Sequence, residues 1–247
     1  MQNQKITWSL KNSIKICFTL SLIFSTVHLF SQNTGEKNKV IFEYLNFADN
    51  QSVLYYGNVQ EGHQRATNHP YLKDNQYVKT RLSYHQIIYP EAMLRLDLSR
   101  DELVILSPTN LNIVLFPENV DYAEMHDLLI IYYRNDSLPG SPSTGYYTLL
   151  HSGNCKVMEK QTATRALVTT SNTHTQEHHY VFRNYIYLYK DGTYYTIRNK
   201  RGLLNVLSPH KKELKQFIST NNLKFRRNAD NLIVQTVREY EKLSGSL

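Results

Sequence analysis

Asp191-Gly192 lies between two runs of β-prone residues, 185–190 and 193–197. An Asp-Gly pair in that setting predicts a two-residue type I′ turn, because both central positions need positive φ. The turn sets the register of a hairpin. Lys190 faces Thr193, Tyr189 faces Tyr194, Leu188 faces Tyr195, Tyr187 faces Thr196 and Ile186 faces Ile197. Strand alternation then assigns Ile186, Leu188, Tyr195 and Ile197 to a core face. Tyr185, Tyr187, Tyr189, Tyr194 and Thr196 fall on the opposite face.

The β pattern extends from Val40 to about Ile197. Residues 93–98 alternate so that Leu94, Leu96 and Leu98 share a face, and Ser99-Arg100-Asp101 supplies turn chemistry. Further short runs follow at 103–106, 111–116 and 128–133, then a Pro/Gly/Ser loop at 138–143. Residues 146–151 and 156–159 flank Ser152-Gly153-Asn154 as a second hairpin. Such close spacing leaves no room for the crossover helices that parallel strands require. Residues 43–80 are polar and carry no clear period.

After Ile197 the period becomes helical. Ser208-Pro209 predicts a helix running to about Thr220, with Leu214, Phe217 and Ile218 inward. Asn228 or Asp230 caps a last helix carrying Leu232, Ile233, Val237 and Tyr240 on its apolar face. Charge divides in the same place: residues 198–247 carry net +7 and residues 32–197 net −3. The expected fold is α+β, a predominantly antiparallel sheet, rolled or sandwich-like, with C-terminal helices packed on it. The expected divisions are a signal peptide at 1–31, a β body at 32–197, and a basic helical segment at 198–247 belonging to the same fold unit.

The signal-peptide reading rests on Lys5, Lys11 and Lys15, the apolar run at 16–30, and the polar Ser31-Gln32. The run is shorter than the ~20 residues of a membrane-crossing helix. Cys17 lies inside it rather than after it, which argues against lipid attachment. Cleavage near Ser31 removes three lysines and no acid, lowering the formal charge from +7 to +4. It leaves one cysteine, Cys155, and so no internal disulfide. Export without disulfides fits the periplasm or outer-membrane and extracellular side of a Gram-negative cell.

Three segments carry a resemblance. They are RLDLSRDELVIL from Arg95, GYYTLLHSGNCKVMEK from Gly145, and YLYKDGTYYTIRNKRGLLNVLSPHKKELKQFISTNNLKF from Tyr187. Together they resemble secreted, function-unassigned proteins of the Bacteroidota. The resemblance implies an envelope location and a single fold unit, and no activity or catalytic residue.

Several motifs invite chemical readings. His174-Thr175-Gln176-Glu177-His178 matches H-x-x-E-H, which needs a helix to bring two histidines onto one zinc. Its Thr/Ser/Asn surroundings predict a loop, with His174, His178 and His179 as weak metal contacts at best, so no metal site and no cofactor are expected. Cys155 with His151 across a turn has no third orienting group and reads as an inert thiol. Asp97, Asp101 and Glu102 cluster at one turn; a hydrolase would use such carboxylates, whereas turn acids are usually solvated. Lys211, Lys212, Lys215, Arg226 and Arg227 read as a solvated basic face, with acidic lipid or polyanion as the sharper alternative and nucleic acid disfavoured by export.

The chain has 19 tyrosines. An exposed aromatic sheet face suits a protein or glycan partner, since tyrosine supplies apolar area and a hydroxyl together. Tyr185, Tyr187, Tyr189 and Tyr194 are therefore the expected binding residues. The expected role is a non-catalytic envelope protein that binds another protein or a glycan. The alternatives are a carboxylate-dependent hydrolase and a purely structural subunit.

Overall fold

The computed structural model describes residues 52–169 and 176–245, which belong to one compact unit, Asn50–Leu247. Residues 1–31, expected as a signal peptide, lie outside the described residues, as do His174 and residues 40–51, where the β pattern is expected to begin.

Among the described residues, eleven strands form one antiparallel sheet. They are β1 (Asn58–Val59), β2 (Val78–Tyr84), β3 (Ile87–Asp97), β4 (Glu102–Leu106), β5 (Asn112–Val114) and β6 (Val120–Met125), then β7 (Leu128–Tyr133), β8 (Gly145–Ser152), β9 (Lys156–Thr169), β10 (Gln176–Lys190) and β11 (Thr193–Thr196). The order across the sheet is β1-β5-β4-β3-β2-β6-β7-β8-β9-β10-β11. Two runs of hairpin-connected strands, β2 to β5 and β6 to β11, thus meet where β6 pairs with β2. The end strands β1 and β11 do not pair with each other, so the sheet is open. The predominantly antiparallel body expected from the sequence is what forms, as one continuous open sheet among the described residues.

The Asp-Gly turn forms as its chemistry requires. Asp191 has φ 50° and Gly192 φ 77°. The register runs from Lys190↔Thr193 to Tyr187↔Thr196, as read from the sequence. The β8–β9 hairpin also forms, and β9 and β10 continue well past the expected ends as one long pair from Tyr189↔Lys156 to Gln176↔Thr169. Thr162, Thr164, Val168 and Val181 supply the β-branched residues that sustain this extension.

Three helices follow: α1 (Lys200–Val206), α2 (Lys211–Thr220) and α3 (Ala229–Leu243). Asn199 caps α1 by accepting from the Gly202 amide at 2.8 Å, and Asn228 caps α3 by accepting from the Asn231 amide at 2.9 Å. α1 escapes sequence reading because it is short and has Gly202 inside it, a weak helix former. Ser208 does not cap α2. Ser208–His210 is a separate 3₁₀ turn, and α2 begins after it.

The helices cover one face of the β9–β11 region. Val157, Ile186, Leu188 and Ile197 from the sheet pack with Leu203, Leu207, Leu214, Ile218, Leu232, Ile233 and Val237. On the opposite face, Tyr147, Met158 and Tyr194 form a smaller cluster, with Tyr187 and Tyr189 packed partly against it.

Candidate functional site

The four tyrosines expected to bind meet different surroundings. Tyr185 is 39% exposed, Tyr187 and Tyr189 are half-buried, and Tyr194 is 5% exposed. The 136–141 loop accounts for the burial of Tyr194. Its amide donates to the Pro139 carbonyl at 2.8 Å and its hydroxyl to Asp136 at 3.2 Å. Gly140, at φ 71°, lets the loop approach so closely that a Cβ there would lie 2.1 Å from the Tyr194 carbonyl oxygen. Tyr195, assigned by alternation to the core, is 37% exposed. It lies on the sheet's outermost strand, where no further strand shields it.

The turn carboxylates are not simply solvated. Asp97 is fully buried. It accepts from Gln60 Nε2 at 3.0 Å, the Ser99 amide and hydroxyl at 2.9 Å, and the Arg100 amide at 3.2 Å. It also pairs with His63 Nε2 at 2.5 Å. The other ring nitrogen of His63 lies 3.0 Å from the buried Tyr180 hydroxyl. Asp101 pairs with Lys160 at 2.6 Å, and Glu102 accepts from Gln60 at 3.0 Å. Asp97 and Asp101, the carboxylates of the hydrolase alternative, are thus occupied in joining segments of the fold. The Tyr-His-Asp order resembles a catalytic relay, but the Tyr180 hydroxyl is buried and its hydrogen bond turns inward to His63.

Cys155 and His151 share a partner that the sequence did not suggest. Glu241 of α3, 2% exposed, accepts from the Cys155 amide at 2.8 Å and pairs with His151 Nε2 at 2.8 Å. Burial, then the Glu241 charge, pushes the Cys155 thiol up to about 11. The thiol is protonated at neutral pH and is a poor nucleophile.

Glu177, His178 and His179 lie in β10, not in the expected loop. The described part of the H-x-x-E-H motif, from Gln176 on, is therefore strand and not the helix that the motif needs. Among the described residues, no group of His, Cys, Asp or Glu is placed to hold a metal ion. Lys212, Lys215, Arg226 and Arg227 are exposed, and Lys211 is partly so.

The arrangement with most chemical character lies elsewhere. A cleft of about 590 Å³ opens on the helix side of the sheet. β9 and β10 contribute Glu159, Asn184 and Ile186; the stretch after them contributes Thr196, Ile197 and Arg198; the approach to α3 contributes Phe225, Arg227 and Asp230. Glu159 sits opposite Ile186 in the ladder, 3% exposed. Asn184 Nδ2 donates to one of its oxygens at 2.7 Å and Gln161 Nε2 to the other at 2.9 Å. Burial raises the Glu159 carboxyl above its ordinary range, and the Asp230 charge adds to this, against the two amide donors. Asp230 is raised by burial as well. Two carboxyls held above their usual range in one cleft form a functional-site signature. The sequence pattern puts Glu159 in a strand and Asp230 at a helix cap. Nothing local joins them, because the cleft exists only where α3 begins beside the β9–β10 pair.

A comparison with protein-family models finds no match to this chain, and comparisons with curated proteins and with solved structures find none either.

Proposed function

We propose that this is an exported, non-catalytic protein of a Gram-negative envelope that binds another protein or a glycan, and that the cleft at Glu159 and Asp230 receives it. The observation that carries the reading is the cleft itself. It combines apolar walls at Ile186, Ile197 and Phe225 with polar and charged groups, among them Glu159, Arg198, Arg227 and Asp230, and such a mixed lining can hold a polar ligand. Export rests on the N-terminal pattern, and the envelope setting is what the resemblance to secreted Bacteroidota proteins implies. Of the four tyrosines, Tyr185 is the one most exposed to a partner.

Two raised carboxyls also favour the hydrolase reading, with Glu159 as a proton donor. Against it, both Glu159 oxygens are already engaged by amide donors of the fold itself.

The test places a photo-crosslinking amino acid at Thr196, on the cleft wall, in the producing cell, and screens the purified protein on a glycan array. A specific adduct or glycan, lost in Asp230→Ala, is the expected result. No adduct and no glycan would refute binding, and hydrolysis of a glycan that stops in Glu159→Gln would establish the alternative. N-terminal sequencing of envelope material should begin near Gln32; a chain starting at Met1 would refute export.

A further inference from the structure

β10 is the longest strand among the described residues, and its outer side is covered only in part. At its C-terminal end β11 pairs with residues 187–190, and the Ile197 amide adds a bond to the Ile186 carbonyl at 2.8 Å. At its N-terminal end the Thr67 amide donates to the His178 carbonyl at 2.8 Å. The Asn68 side chain there imitates a strand, accepting from the Tyr180 amide at 2.7 Å and donating to the Tyr180 carbonyl at 2.9 Å. These contacts show which residues turn their backbone groups outward: His178, Tyr180 and Ile186. Alternation adds Phe182 and Asn184 to that set. The other side of the sheet agrees, since Ala163, opposite Phe182, sends its amide away from β10 to the Leu98 carbonyl at 3.0 Å. The outward N–H and C=O groups of Phe182 and Asn184 have no partner among the described residues.

Residues 181–185 are all exposed, including Val181 at 41% and Phe182 at 44%. An open edge of this kind is a template for another strand. It spans five residues, about 16 Å at the usual rise per residue. It borders the cleft, because Asn184 and Tyr185 belong to both. A strand laid against this edge places the side chain opposite Asn184 on the Asn184 face, toward Glu159 and Asp230.

We propose that an extended peptide segment of another protein adds as a strand along residues 181–185 of β10 and seats a basic side chain in the cleft against Glu159 and Asp230. This inference rests on the binding reading above and names its ligand class. Backbone bonds to Phe182 and Asn184 supply affinity without regard to sequence, and the cleft supplies selectivity, the division of labour in strand-addition recognition. The carboxylates select for positive charge. Arg198 and Arg227 also line the cleft but are exposed, whereas Glu159 is buried and Asp230 partly buried.

Panning a displayed library of random heptapeptides on the purified chain tests this. The expected outcome is enrichment of peptides with one Lys or Arg flanked by β-formers. Phe182→Pro removes an outward N–H and leaves the β9 ladder intact, because that N–H faces away from β9. It should abolish peptide binding with the circular dichroism spectrum unchanged. Glu159→Gln with Asp230→Asn should weaken basic peptides at least about tenfold and erase the preference for Lys or Arg. No enrichment, or undiminished binding by folded Phe182→Pro, overturns the proposal. A dimer in sedimentation that Phe182→Pro dissolves would assign the edge to a second copy. Competition by a synthetic peptide of residues 32–51 as strong as that of selected peptides would assign it to the chain's own N-terminal segment. Either result overturns the proposal too. A cleft adduct or glycan lost in Asp230→Ala, with no peptide enrichment, would refute this inference and keep the binding function.

Discussion

Asp97 joins stretches of chain that are far apart in sequence. Its carboxylate holds Gln60 and His63 against the turn at Ser99 and Arg100, and His63 reaches on to Tyr180 of β10. The irregular segment before β2, which had no readable period, is held to the sheet in this way. Asp97→Ala strands several donors at once, and each buried donor left unmet costs roughly 1–3 kcal/mol. The expected loss in urea-unfolding free energy is on the order of 3 kcal/mol or more, with Asp97→Asn losing less because it keeps one acceptor oxygen. An unchanged unfolding midpoint for the alanine variant would show that water replaces Asp97 as acceptor. Burial of this residue was not legible beforehand. Asp followed by Ser-Arg-Asp reads as a surface turn, and the groups that enclose it come from elsewhere in the chain.

The β10–β11 hairpin is the element whose local chemistry and final structure agree most closely. Both turn residues take positive φ, and the space where a Gly192 Cβ would stand is open. A Cβ at Gly192 therefore meets no neighbour, and the expected cost comes mainly from the backbone. Gly192→Val should lower stability by about 1–3 kcal/mol, the scale for a forced backbone conformation. Gly192→Asn should cost less, since asparagine tolerates this region. Equal thermal midpoints for the valine variant and the wild type would show that the turn relaxes to another type. Register was readable here because the turn dictates it, and the α3 cap at Asn228 was readable because a capping side chain acts on its own next turn. Exposure was not. Tyr194 is covered by a loop from before β8, and Tyr195 is left open by the absence of a neighbouring strand.

Across the whole molecule, the cleft makes stability depend on pH. The folded-state carboxyl of Glu159 lies above its ordinary value of 4.5. A group raised in this way contributes its full stability below the unfolded value and loses it as pH rises through the folded one. Acidification from neutral pH toward about 4.5 should therefore favour the folded state through this residue. Glu159→Gln cannot titrate. Its stability relative to wild type should be highest at neutral pH and should decline as pH falls. Urea midpoints of the two proteins at pH 7 and pH 5 check this, and a difference independent of pH would place the Glu159 carboxyl in its ordinary range. At this scale the sequence by itself determined what local rules decide: antiparallel pairing, the Asp-Gly register, the change from β to helix after Ile197, the Asn228 cap, and the apolar faces of the two long helices. Those follow from φ preferences, alternation and capping, each acting within a few residues. The tertiary structure alone decided which tyrosines stay exposed, that Asp97 is enclosed, that Glu159 and Asp230 share a cleft, and that part of the β10 edge has no strand beside it among the described residues, because burial and proximity depend on segments that meet only once the chain has folded.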